Sequence, residues 1–231
     1  MTEAGKRRGE ASREAILAAA ESVFAEHGFD GARVDVIAHA SGYDKKLIFR
    51  YFGDKLGLYT EVLKRADQES NILLARVFAP LLVDETLALQ AQQFKSFLES
   101  MLYTLFDYLL EHPRFVRIMT WEMAEGWQIY TQIASQFPNE DLDQFERLFH
   151  KARSAGLLRS DYLPAIQLST ITQLCLTYLA SLPLYKTLLP GEDLSSRAGL
   201  ERAREYIVAF VVAGMMADPT ESRPEKGMES R

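Results

Sequence analysis

Apolar residues recur at helical spacing along most of the chain, and the strict alternation of a half-buried strand is nearly absent. Ile16, Ala19, Ala20, Val23 and Phe24 line one face of a first helix, with Ser12 as its expected N-cap and Glu14 in its first turn to suit the helix dipole. Gly28 is expected to stop that helix. Val34, Ile37 and Ala38 mark a short second helix ending at Ser41 and Gly42, and Asp44 caps a third that runs through Phe52. Gly53 and Asp54 break and recap the chain, and Leu58, Tyr59, Val62, Leu63 and Ala66 form the inner face of a fourth helix. Longer helices are predicted at about 86–111, about 114–125, about 128–154 with an interruption at Pro138 and Asn139, about 163–189 and about 196–217. Residues 218–231 are polar and expected to be disordered. The predicted fold class is all-α.

Composition narrows the chemistry. The chain has 231 residues, 48% hydrophobic and 25% charged, so wholesale disorder and fibrous classes are excluded. A single cysteine, Cys175, precludes an intramolecular disulfide and argues against a thiolate zinc cage; it reads as a small buried hydrophobe. The net charge of -6 is unevenly spread, because residues 1–60 hold 9 basic and 9 acidic groups and the whole excess of negative charge lies beyond them. Only the first segment is therefore suited to approach a polyanion. The uncharged stretch 162–185 is long enough to span a bilayer, yet its interspersed Gln, Ser and Thr and unflanked ends favour a buried helix of a soluble protein. The start of the chain has no secretory pattern, and a cytoplasmic location with no membrane partner is expected.

Residues 34–52 carry the strongest functional signal: two short helices around a tight turn at Gly42. Ile48 and Phe52 point back toward Ile37, Val23 and Phe24. The opposite side of the third helix carries Lys46 and Arg50, flanked by Lys45 and Phe49 on one side and Leu47 and Tyr51 on the other. Cationic and aromatic groups on one solvent face suit a DNA groove. A plain three-helix minidomain with a solvated basic face has the same spacing, but it leaves Phe49 uncovered and gives no role to Lys55 beyond the Asp54 cap.

Residues 12–63 resemble the DNA-binding domain of the TetR (tetracycline-repressor) family of bacterial transcriptional regulators. The resemblance rests on Phe24 to Phe29, Val34 to Ala38, Ser41-Gly42, the Leu47 to Phe52 block and the Asp54 to Tyr59 segment. It implies a homodimer that places each third helix in a major groove, and C-terminal helices that hold a small-molecule pocket and the dimer interface. Effector binding then tilts the DNA-binding domains apart and releases the operator. By that resemblance Lys45, Lys46 and Phe49 meet bases, while Tyr43, Tyr51 and Lys55 meet the DNA backbone. Lys46 stands where a small residue is usual, and Phe49 where tyrosine is usual, so the family's base preference does not carry over. The expected domains are 1–55 for DNA binding, 56–217 for ligand binding and dimerisation, and the tail 218–231.

In the C-terminal part, Trp121, Glu122, Met123 and Trp127 form one cluster. Phe94, Phe97, Met101, Tyr103, Phe106 and Met119 add adaptable apolar bulk. They are expected to line a pocket for an apolar or aromatic effector, with Glu122, Tyr103 and Gln128 fixing its orientation; the competing reading is core packing, with Glu122 paired to Arg117 or Arg114. Broad apolar faces on the last two helices, including Ile171, Leu174, Tyr178, Ile207, Phe210, Val211 and Gly214, are expected to form a dimer seam. No Glu-x-x-His pair, His-Glu-x-x-His, Gly-x-Ser-x-Gly or P-loop pattern occurs, so no enzyme activity, metal or cofactor is expected. The rival from another class is a helical adaptor that holds a partner protein in an aromatic groove.

Overall fold

The computed structural model describes residues 3–66, 68, 72, 90–136, 140–159 and 163–217. Helix α1 (Glu3–Gly31) begins well before Ser12. Ser12 is therefore not an N-cap: the Glu, Ala, Lys and Arg residues ahead of it are good helix formers, and its hydroxyl donates instead to the Arg8 carbonyl at 2.8 Å within the helix. The break comes at Gly28, whose φ of 68° and ψ of -179° lie outside helical geometry and suit a residue without a Cβ.

Helix α2 (Val34–Ser41) ends at Gly42, left-handed with φ 75°. The Gly42 and Tyr43 amides return to the carbonyls of His39 and Ala38, closing the helix end. Asp44 caps α3 (Lys45–Phe52) by accepting from the Leu47 amide at 2.8 Å. Asp54 repeats the device at the start of α4 (55–66), accepting from the Gly57 amide at 2.7 Å. Ile16, Phe24, Ile37, Ile48, Phe52 and Leu58 are buried together and make the core of this head.

The remaining elements are α5 (Ala91–Glu111), α6 (Pro113–Ala124), α7 (Gln128–Ile133) with a following turn of 3₁₀ helix (Ala134–Gln136), α8 (Glu140–Ser154), α9 (Pro164–Leu188) and α10 (Arg197–Met215). The break expected at Pro138 and Asn139, the start of α5 near residue 86 and the tail 218–231 lie outside the described residues. Helix α5 packs on α9 and α10, while α9 also packs on α6 and α8. Phe94, Phe149 and Phe145 form a chain of ring contacts within this bundle. The ends of α8 and α10 are tied by an antiparallel bridge between Leu158 and Met216. By length and composition alone α9 could cross a membrane, but here it is one helix of the bundle.

Candidate nucleic-acid interface and its link to the C-terminal helices

Helix α3 is amphipathic because its inward residues, Ile48 and Phe52, are buried against the head core. Its outward residues follow from the 3.6 period: Lys45, Lys46, Phe49 and Arg50 are exposed. Phe49 keeps 43% of its surface in solvent, a large apolar ring without cover. The first turn of α3 holds no acidic residue of its own, so its two lysines add to the positive end of the helix dipole. Asp44 accepts one of the free amides there, and Asp35 of α2 meets the Lys45 ammonium at 2.5 Å.

The residues expected at the DNA backbone have partners within the head. The Tyr51 hydroxyl donates to the Gly9 carbonyl at 3.3 Å, tying α3 to α1, and the Arg50 guanidinium lies 5.7 Å from the Tyr51 ring centre. The Lys55 ammonium donates to the Asp30 carbonyl at 3.2 Å and sits 4.6 Å from the Phe29 ring centre. Tyr43 is half-buried and packs on the core. The structure thus brings Tyr43, Lys45, Lys46, Phe49, Arg50, Tyr51 and Lys55 onto α3 and its flanks. It adds Asp35, which sequence reasoning missed: a lone Asp in the first turn of α2 reads as an ordinary dipole partner, and only the angle between α2 and α3 shows that it reaches Lys45.

The aromatic cluster of α6 divides. Trp121 faces the head: its indole N–H donates to the Ala25 carbonyl at 3.3 Å, and the Arg117 guanidinium donates to the same oxygen at 3.0 Å. These side chains satisfy a carbonyl near the end of α1. A Cβ on Gly28 would come within 3.1 Å of the Trp121 ring. Glu122 is 1% exposed. One carboxylate oxygen accepts from the Tyr59 hydroxyl of α4 at 2.6 Å and the other from the Tyr130 amide of α7 at 3.0 Å. The competing reading, with Glu122 paired to Arg117 or Arg114, is therefore corrected: Arg117 is turned to α1, while Glu122 is held by Tyr59 of α4 and the Tyr130 amide of α7. Burial, and then the Glu122 carboxylate, push the Tyr59 hydroxyl above its ordinary pKa. Burial, followed by the neighbouring carboxylates of Asp30 and Glu122, likewise raises Glu125.

Among the other pocket candidates, Phe97 and Met119 are buried in the bundle, Met123 and Trp127 are half-buried and Gln128 is exposed. Trp127 adopts a left-handed φ of 62° in the α6–α7 turn and meets the Tyr130 ring edge-on. Half-buried Tyr103 lies under Arg204, whose guanidinium holds Asp107 at 2.6 and 2.8 Å. A cavity of about 210 Å³ lies where Glu21 of α1 meets Val62 and Arg65 of α4, with His112, Phe115 and Ile118 opposite. A groove of about 470 Å³ runs between α5 and α10 beside Asp107 and Arg204.

The seam candidates divide by burial. Ile171, Ile207 and Val211 are buried within the chain, and Tyr178 is half-buried near Phe106. Leu174, Phe210 and Gly214 are exposed, and Phe210 is 62% so. Tyr206 stacks on it from the preceding turn. Leu174, Phe210, Gln167 and Gly214 border an apolar groove of about 440 Å³ between α9 and α10. Cys175 is buried, and that burial pushes its thiol up to about 11.

Comparison with known proteins agrees with this layout. A family model described as bacterial regulatory proteins, tetR family, matches residues 16–62. A second, described as tetracyclin repressor-like, C-terminal domain, matches residues 96–211. The HTH-type transcriptional repressor SCO4008 of Streptomyces coelicolor is 29% identical over 199 residues, covering 83% of this chain and 90% of that repressor. The HTH-type transcriptional repressor NicS of Pseudomonas putida is 27% identical over 169 residues, covering 72% of this chain and 75% of its own. The crystal structure of SCO4942 from Streptomyces coelicolor superposes with a TM-score of 0.59 at 26% identity, covering 88% of this chain and 98% of that one.

Proposed function

The chain belongs to the TetR family of bacterial transcriptional regulators that bind DNA, and on that premise we propose that it is an effector-released repressor acting as a homodimer in the cytoplasm. Residues 1–55 form the head that reads DNA and residues 56–217 the part that dimerises and receives the effector. The observation that carries this reading is the outward face of α3, where Lys45, Lys46, Phe49 and Arg50 are exposed while Ile48 and Phe52 anchor the helix. A protruding helix with cations and an aromatic ring fits a major groove, and phosphate attraction supplies most of the affinity.

Two-fold pairing through α9 and α10 is supported by the exposed Leu174, Tyr206 and Phe210 beside an apolar groove. A dimer sets two recognition helices on half-sites about 34–36 Å apart and so requires a near-palindromic operator. The effector is an apolar, aromatic-containing small molecule. Support comes from the aromatic density of α5 and α6 and from the contacts that Arg117, Trp121 and Glu122 make with α1 and α4. A change of α6 induced among Phe97, Met119, Met123 and Trp127 reaches the head directly. Tenfold weakening of DNA binding requires an effector to prefer the released state by about 1.4 kcal/mol.

A gel-shift titration of duplexes from the DNA flanking the protein's own gene tests the proposal, repeated with a panel of hydrophobic compounds. A sequence-selective, salt-dependent shift reversed by a compound that also changes tryptophan fluorescence supports it. An absence of sequence preference contradicts it and favours the adaptor reading.

A further inference from the structure

The Lys45–Asp35 pair sits on the DNA-facing side of the head and is more than a helix-end neutralisation. The Lys45 ammonium lies 2.5 Å from one Asp35 carboxylate oxygen, and the Arg33 guanidinium is 4.0 Å from the other. Both members of the close pair remain open to water, at 44% for Lys45 and 57% for Asp35. A carboxylate on a surface meant to meet phosphates is unfavourable for affinity alone, since it cancels the charge of the lysine and repels the backbone. It has a use if the surface must discriminate between bases.

We infer that Asp35 and Lys45 act together as a reader of a single G·C pair in each operator half-site, with Lys45 donating to guanine and Asp35 accepting from the cytosine amino group. The inference rests on the reading of α3 as the recognition helix. In the major groove guanine presents O6 and N7 as acceptors, and its partner cytosine presents the N4 amino group as a donor. The O6 and N4 atoms of one pair are hydrogen-bonded to each other, about 2.9 Å apart. The protein offers the complementary order, a donor beside an acceptor at 2.5 Å, contributed by two helices whose angle is set by the Gly42 turn. An A·T pair reverses part of that order: adenine carries its amino donor at the site facing the ammonium, and thymine an acceptor oxygen at the site facing the carboxylate. Asp35 therefore penalises the wrong pair, while Lys45 alone would tolerate any acceptor or phosphate.

The test is selection from a randomised duplex pool, sequencing the bound fraction for the wild type, Asp35→Ala, Asp35→Asn and Lys45→Ala, with circular dichroism confirming the fold of each. The wild type is expected to enrich paired half-sites with one position favouring G·C by roughly tenfold. Asp35→Ala and Lys45→Ala should lose the preference at that same position and keep the others, and Asp35→Asn, which retains an acceptor, should keep part of it. Affinity of Asp35→Ala for random duplex should rise, whereas a residue that merely held Lys45 in place would lower it on removal. Unchanged preferences in Asp35→Ala, or losses at different base pairs in the two alanine variants, overturn the inference. A wild type that enriches no sequence at all overturns the recognition-helix reading instead.

Discussion

The Tyr59 hydroxyl donates to the Glu122 carboxylate at 2.6 Å, and this buried bond joins the helix that follows the DNA-reading head to the helix that carries the aromatic cluster. The second Glu122 oxygen holds the start of α7 through the Tyr130 amide. One carboxylate thus fixes three elements at once. Arg117 and Trp121 of the same helix as Glu122 meet the Ala25 carbonyl of α1. The N-terminal head and the C-terminal helices are thus joined by hydrogen bonds as well as by packing.

Tyr59→Phe leaves the buried Glu122 carboxylate with one donor fewer. The expected cost is about 1–3 kcal/mol of unfolding free energy, measured by urea titration at neutral pH. The variant should also differ from the wild type at high pH. The Tyr59 hydroxyl titrates above its ordinary value of 10.0 in the folded chain, raised first by burial and then by Glu122. Below pH 10 both folded and unfolded chains keep that proton, so this group adds no pH dependence. Above it the unfolded chain ionises first, and stability falls. Tyr59→Phe should lose less stability than the wild type between pH 10 and the onset of alkaline unfolding; equal losses would show that the hydroxyl is not the source.

Gly28→Ala tests the joint between α1 and α6. The φ of 68° with ψ near 180° is a region that essentially only glycine occupies, and an added Cβ would come within 3.1 Å of Trp121. The expected destabilisation is about 1–3 kcal/mol, together with a shift in tryptophan emission, since Trp121 is the ring displaced. A stable variant with unchanged emission would mean that α1 and α6 do not meet in solution as they do here.

Phe210→Glu places a charge on the exposed α9–α10 face beside the apolar groove. Light scattering at micromolar concentration should give twice the chain mass for the wild type and a single chain mass, or insoluble protein, for the variant, because an unpaired charge in an apolar seam is costly. A monomeric wild type would remove the seam from consideration.

Cys175 should resist alkylation at pH 7–8 in the folded chain and react readily in denaturant. Burial pushes its thiol up to about 11, which leaves little thiolate for attack. Fast modification of the native protein would show that α9 opens locally.

The head was legible because its boundaries are written in local chemistry. Gly42, Asp44, Gly53 and Asp54 each act within a few residues, and the structure shows the expected caps. Ser12 misled because a hydroxyl that caps a helix can equally fold back on it, and the preceding residues decide which. The partner of Glu122 was not readable. Tyr59 lies far away in sequence, and only the packing of α4 on α6 brings the two together. The aromatic density between Phe94 and Trp127 shows that the region is apolar, but core and pocket share that composition. Burial separates Phe97 and Met119 from the more accessible Trp121 and Trp127. The seam candidates behaved alike: one periodic stripe contains both inward Ile207 and outward Phe210, since α10 has apolar residues on two faces.

The recognition role of α3 is tested most directly by the affinity of the Lys45→Ala, Lys46→Ala double variant for the operator, measured in moderate salt against the wild type. Both side chains are exposed, so thermal unfolding and circular dichroism should be unchanged. The expected result is a loss of operator affinity, about 1–3 kcal/mol for each lysine that makes a base contact, with a shallower salt dependence where phosphate contacts are also lost. A folded double variant that shifts the operator as well as the wild type would contradict the assignment of α3 as the helix that reads DNA.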